Sequence, residues 1–185
     1  VLICFVIGVP LGVIASYNKW YRDIQNVVLD AMQTLPYFCY LIPVLMFFGG
    51  NIVSAVIATV IYSVPPIIRL TALGLSQVSG SYSEVSKSFG GTGIQTLNKV
   101  KFPLAVPSLV MGFNQTVIMA FAMQIVTPLI GGKGLGLQVF NALQRSDTGR
   151  GLSAGLAIVL LAIIIDRITH AWTKKQRQAL GLDNS

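Results

Sequence analysis

The chain has 185 residues, 54% of them hydrophobic and only 10% charged, with a mean hydropathy of +0.72. An average soluble domain carries about 25% charged residues, so this composition excludes a disordered chain, a coiled coil and most soluble enzymes. The net charge of +7 is no nucleic-acid signal, because the 13 basic residues are scattered between long neutral runs.

A membrane span needs about 20 apolar residues to cross a core about 30 Å thick. Val1–Asn18 contains no charge and predicts a first span over 1–16. It starts at Val1 without an initiator Met or a basic flank, and no small-residue cleavage site follows. It therefore reads as a span cut from a longer chain, not as a secretory leader. The next neutral run, Ala31–Ile68, would reach about 57 Å as one helix, so it must fold back. Gly49-Gly50-Asn51 is the turn, which predicts spans over 27–48 and 52–68. Phe102–Gly132 and Gly151–Ile165 are also neutral and predict spans over 104–124 and 151–170. The fifth begins with Gly151-x-x-x-Gly155, small residues that permit close helix approach but are also common in membrane helices.

Charge placement sets the expected orientation. With residues 69–103 in the cytoplasm, ten of the thirteen basic residues fall inside: Lys19, Arg22, Arg69, Lys87, Lys99, Lys101, Arg167, Lys174, Lys175 and Arg177. Only Lys133, Arg145 and Arg150 fall outside, in agreement with the positive-inside rule.

The second span carries Pro36 and Pro43, and the third is read as ending in Pro65-Pro66. Proline kinks a helix and frees carbonyls that need partners in neighbouring helices or a wet cavity. Such kinks suit a transporter that rocks between two states, though static bundles have them too. Gln33, Asn114, Gln115 and Gln124 lie in or near spans, and Asn114 is about 15 Å into the fourth. Polar groups at that depth bond between helices or line a solute path. No carboxylate is expected near mid-membrane: Asp30 and Asp166 are read at cytoplasmic ends, as is His170, the single histidine. Ion coupling is therefore not expected, and the energy comes from elsewhere. Cys4 and Cys39 both lie in spans without metal-ligand spacing and read as apolar filler.

Residues 76–103, SQVSGSYSEVSKSFGGTGIQTLNKVKFP, form the polar connection between the third and fourth spans. Ser83 could cap a helix starting at Glu84, Gly90-Gly91 would break it, and Thr92–Lys99 could form a second short helix. Pro103 would stand at the membrane entry, where a missing amide costs little. Within this loop, Glu84-Val85-Ser86, three residues, Gly90, nine residues, then Val100-Lys101-Phe102-Pro103 resembles the EAA loop of ABC importer permeases. That pattern is E-A-A, three residues, G, nine residues, I-x-L-P. Val85, Ser86, Val100 and Phe102 depart from it by small or apolar replacements.

The segments LDAMQTLPYFCYLIPVLMFFG (29–49), PPIIRLTALGLSQV (65–78), NQT (114–116), GKGLG (132–136) and LAIIIDRIT (161–169) resemble glycine betaine/proline betaine importer permeases. The resemblance covers nearly the whole chain and implies an all-α integral membrane protein of the type I ABC importer (MetI-like) fold. Residues 1–185 would form one permease domain with a tail over 172–185, in a bacterial or archaeal plasma membrane. It implies that Glu84, Val85, Ser86, Lys87, Ser88, Phe89 and Gly90, with Pro103, belong to the segment that docks on a cytoplasmic ATPase pair.

A second permease copy and an external solute-binding protein are the other implied partners. The chain itself would hold no cofactor, since ATP and Mg belong to the ATPase. Consistently, the sequence has no G-x-x-x-x-G-K-[ST], and Gly131-Gly132-Lys133-Gly134 lacks the Ser or Thr of a P-loop. The expected function is permeation of glycine betaine or a related quaternary amine by alternating access. Choline, carnitine and methionine importers, or a non-transporting scaffold, are the rival readings. Gln33, Tyr37, Asn114 and Gln115 are the expected path residues, and Tyr37, Phe38, Tyr40 and Phe121 could attract a quaternary ammonium through their ring faces.

Overall fold

The computed structural model describes residues 1–179 of the chain. Ten α-helices follow one another: α1 (Leu2–Tyr17), α2 (Lys19–Thr34), α3 (Phe38–Phe48), α4 (Ile52–Ser63), α5 (Pro65–Gln77), α6 (Gly80–Ser88), α7 (Gly93–Thr96), α8 (Phe102–Gln124), α9 (Leu135–Gln144) and α10 (Thr148–Ala179). Three helical stretches are long and apolar enough to cross a membrane: Ile52–Gln77, Gly93–Gln124 and Thr148–Trp172. The shorter apolar α1 and the bent α2–α3 pair complete the five apolar segments anticipated from the neutral runs. Residues 172–179 of the expected tail continue α10, and 180–185 lie outside the described residues.

The second span is not the single helix expected over 27–48. α2 and α3 meet at 97°. Leu35, the residue before Pro36, is driven to an extended conformation (ψ 131°). Pro36 also has no amide hydrogen to give the carbonyl four residues back, that of Met32. The Tyr40 hydroxyl donates to that carbonyl instead, so the side chain of α3 closes the gap the proline opens. The Tyr40 ring packs edge-on against Tyr62 of α4, 5.7 Å between centroids. Tyr40→Phe is therefore expected to leave one carbonyl unpaired and lower stability by about 1–3 kcal/mol. Thermal unfolding of the detergent-solubilised protein measures this, and an unchanged midpoint would show that the hydroxyl carries nothing.

The third span also departs from its expected end. Pro65-Pro66 stands mid-span, at the first turn of α5, where proline is tolerated. The Val64 amide still reaches the Val60 carbonyl at 3.0 Å, so the helical path runs on to Gln77. Arg69 thus lies on α5, not in the loop, and pairs with Asp30 of α2 at 2.5 Å. Beside the prolines, Cys4 is buried with its Sγ 3.3 Å from the Ser63 hydroxyl, which donates to the Thr59 carbonyl at 2.6 Å.

α5 is the axis of the fold. Half of the most apolar 18 residues of Ile52–Gln77 are buried, against 11% of those in Thr148–Trp172, so α10 is peripheral. α1 and α8 flank α5 at very close range. A Cβ on Gly12 would sit 2.7 Å from the Ile68 carbonyl oxygen, and one on Gly74 would sit 2.6 Å from Ser108 Cβ. Ile67, Thr71 and Leu75 fill the resulting core. Large apolar side chains such as Leu156, Leu160 and Ile164 of α10 are exposed, as a chain solvated by lipid requires.

At the end of α5 the connection differs in detail from the sequence expectation. α6 starts at Gly80, not Glu84, and the Ser83 side chain caps nothing because it lies inside the helix. Gly90 turns the chain with φ +77°. Thr92 then caps α7 through a reciprocal box with Gln95. α7 leads without a break through one wider turn, Leu97–Lys101, into α8. In that turn the Phe102 amide reaches the Leu97 carbonyl, five residues back. Pro103 stands in the first turn of α8, which continues from α7 through that wider turn.

Candidate functional site

Two regions collect the chemistry, at opposite ends of the bundle. At the end away from α6, a cavity of about 360 Å³ opens between α4 and α8. That volume is within the range of about 300–1,000 Å³ typical of small-molecule sites. Val117, Phe121 and Gln124 line it from α8, and Thr59 lines it from α4. Their spacing on α8 (i, i+4, i+7) puts them on one helix face. Thr127 and Lys133 complete the far-end wall. Thr127 follows α8 in a short 3₁₀ turn (Thr127–Ile130) that ends at Gly131, φ +93°. The Gly132 amide bonds back to the Thr127 carbonyl at 2.9 Å, which folds the glycine run over the cavity.

Asn114 continues the same α8 face one turn deeper than Val117. It is 7% exposed, and its Nδ2 donates to Asp166 Oδ1 of α10 at 3.1 Å. Its own Oδ1 is buried without a partner. Asn114 stands about 15 Å from the Gln124 end of α8 and about 18 Å from the Phe102 end. Asp166 therefore lies level with the middle of α8. Read from the sequence as the cytoplasmic end of the fifth span, Asp166 stands six residues before the Trp172 end of its apolar stretch and pairs with a residue of mid-α8. His170, one turn further, approaches the same Asp166 oxygen at 3.4 Å.

The four expected path residues do not converge. Gln33 and Tyr37 are exposed at the α2–α3 bend, where the Tyr37 and Phe38 rings lie 4.7 Å apart. Gln115 is exposed beside buried Asn114. Of the aromatic candidates, Phe121 lines the cavity, while Tyr40 is occupied in holding the bend. Sequence reasoning missed Thr59, Thr127 and Lys133 as wall residues. The 114-117-121-124 spacing was a readable signal for the α8 face that completes the wall.

At the other end, α6 buries no residue. Phe89 is 88% exposed and Ile94 74%, unusual values for large apolar side chains beside a polar helix. Tyr82, Val85, Ser86 and Phe89 line a shallow groove with Gln95 and Lys99. Glu84, Lys87, Ser88 and Gly90 are also exposed. The groove is held by two ties: Ser86 Oγ lies 2.8 Å from Thr96 Oγ1, and the Gly91 amide donates to the Ser86 carbonyl at 2.9 Å. Among the described residues no cluster of His, Cys, Asp or Glu could hold a metal ion.

Several apolar helices around a proline-bent span, with a polar helical loop at one end, define a multi-pass membrane protein of the transport type. The chain belongs to the binding-protein-dependent transport system inner membrane component family, whose model matches residues 8–178. Its fold matches a chain of the MetNI methionine ABC transporter in an inward-facing conformation, with a TM-score of 0.75 at 23% identity over 91% of this chain and 87% of that one. The all-α, MetI-like type I importer fold is thereby established.

Among curated relatives, the glycine betaine/carnitine transport permease protein GbuB of Listeria monocytogenes is 46% identical over 95% of this chain and 62% of its own length. The glycine betaine transport system permease protein OpuAB of Bacillus subtilis is 43% identical over 92% of this chain and 60% of its own. The glycine betaine/proline betaine permease protein ProW of Escherichia coli is 44% identical over 95% of this chain. The chain spans only half of that relative's length.

Proposed function

We propose that this chain is the membrane-spanning part of an ATP-driven importer permease for glycine betaine or a related quaternary amine. The observation that carries the reading is its 43–46% identity to three betaine permeases over nearly its full length. The cavity between α4 and α8 supports it, since it offers an apolar wall with an aromatic face and a few polar groups. The permease hydrolyses nothing itself. A separate ATPase pair docks on the α6–α7 loop in the cytoplasm, a solute-binding protein delivers from outside, and a second permease copy completes the path.

The exposed Phe89, Val85 and Tyr82 suit such a docking surface, because water-exposed apolar side chains clustered on a short helix favour burial against a partner. α6 follows α5 after two residues, and α5 is the core axis, so a push on α6 reaches the centre of the bundle. The test is co-reconstitution of the complete permease with its ATPase and binding protein. ATP-dependent uptake of glycine betaine, choline or carnitine is expected, and uptake of no quaternary amine would overturn the substrate class.

A further inference from the structure

We propose that the α4–α8 cavity and the Asn114–Asp166 pair form one electrically polarised transit site that orients a zwitterion, with its ammonium end leading toward Asp166. The proposal rests on the importer reading above and adds how the solute is held. Lys133 is a cationic side chain on the far-end wall. Val117 and Ile165 line the deep side of the cavity. Asn114 stands one turn beyond Val117, and Asp166 is the residue after Ile165. The polar pair is therefore the next layer below the cavity floor.

That layer is electronegative for two reasons. Asp166 is a carboxylate whose side chain is 39% exposed, with Asn114 and His170 against its Oδ1. Beside it, the Asn114 carbonyl oxygen is buried and receives no donor, so its dipole is uncompensated. Gln124, in the same far-end wall as Lys133, is ten residues of α8 from Asn114, or about 15 Å. A small betaine cannot bridge that distance. It can instead be turned by the field between the two ends, which apolar walls screen weakly.

Phe121 stands between the ends, about 10 Å from the Asn114 level, and offers a ring face to a trimethylammonium on the way. A solute with a single cationic charge would be repelled at Lys133 and drawn by Asp166. A zwitterion gains at both ends.

The field can be read directly by charge-selective thiol labelling. The probe is Thr59→Cys on the cavity wall, in the full permease with Cys4 and Cys39 replaced by serine, reconstituted with its ATPase and binding protein. Labelling rates are compared for two thiosulfonate reagents of similar size, one bearing a trimethylammonium and one a sulfonate. Asp166→Asn is expected to lower the cation-to-anion rate ratio about fivefold, and Lys133→Gln to raise it by about the same factor. A merely structural Asn114–Asp166 pair would change both rates together, and an unchanged ratio in either variant overturns the proposal. Protection of the cysteine by glycine betaine is expected in the wild-type background and weakened in both variants. Uptake by the unaltered permease is measured in parallel. Absent uptake with the expected ratio shifts would sink the importer reading, and normal uptake with unshifted ratios would sink only the polarised site.

Discussion

Gly136→Ala is expected to destabilise the bundle more than an alanine at any other described glycine. A Cβ at this position would lie 1.9 Å from the Gln124 carbonyl oxygen. Real contacts of that kind stay beyond 3 Å, and the obstacle is backbone that cannot rotate away. The first turn of α9 must then lift off the last turn of α8. That movement disturbs the far-end wall of the cavity, because Gln124, Thr127 and Lys133 line it between the end of α8 and the start of α9. The cost is at least the about 1–3 kcal/mol of an overpacked core.

Gly155→Ala is the matched control. No atom lies within 4 Å of a Cβ there, and alanine is the better helix former by about 0.8–1 kcal/mol. Thermal unfolding of the purified protein should show a clear drop for the first variant and none for the second. Equal midpoints would mean that α9 does not pack as described, while a loss at Gly155 would mean that another chain packs on α10 there.

The same pair of glycines illustrates what the sequence disclosed and what it hid. Gly151-x-x-x-Gly155 was legible as a close-approach motif, but only Gly151 meets a neighbour within the chain, Ala142 of α9 at 3.4 Å. Gly136, whose Cβ would meet the tightest contact among the described glycines, closed the GKGLG segment of an external loop by sequence, where nothing marked it as a packing position. Apolar segments were legible because lipid enforces long neutral runs, and each of the five is helical, the second and third as pairs of helices.

Boundaries failed where charge was taken to end a span. Arg69 closed the neutral run, yet α5 continues past it, since the Asp30 carboxylate neutralises the arginine across 39 positions of sequence. The bond between Asn114 and Asp166 likewise joins residues 52 positions apart. Pairings over such separations depend on how helices pack and leave no local periodicity. The α2–α3 bend was half legible: Pro36 announced a kink, but its 97° size reflects the extended Leu35 and the hydroxyl of Tyr40, which sits one turn beyond the break.

These distinctions decide which glycine of the coupling loop matters most. The Glu84-to-Gly90 spacing draws attention to Gly90, whose φ of +77° penalises any side chain. A Cβ on Gly90 meets nothing within 4 Å, however, so Gly90→Leu pays only the left-handed backbone, about 1–2 kcal/mol, in an exposed turn. Gly91 is different. Its Cβ would lie 2.6 Å from Ser86 Oγ and 2.7 Å from the Ser86 carbonyl oxygen. Those atoms make the two ties that lash α6 to the next segment: the Ser86–Thr96 hydroxyl pair and the bond from the Gly91 amide.

Gly91→Val breaks both and frees α6 to swing relative to α7 and α8. If α6 transmits motion from an ATPase, its angle is the quantity that must be kept, and a swinging helix absorbs the push. Gly91→Val should therefore lower ATP-driven uptake at least tenfold, and Gly90→Leu by less. Insertion should be normal in both variants, since α6 buries nothing of the bundle core. Membrane yield, ATPase co-purification and uptake, measured side by side, separate the cases. Wild-type uptake by the Gly91→Val permease would end the coupling role proposed for this loop. Equal losses at Gly90 and Gly91 would show that backbone strain, not the Ser86 ties, sets the angle of α6.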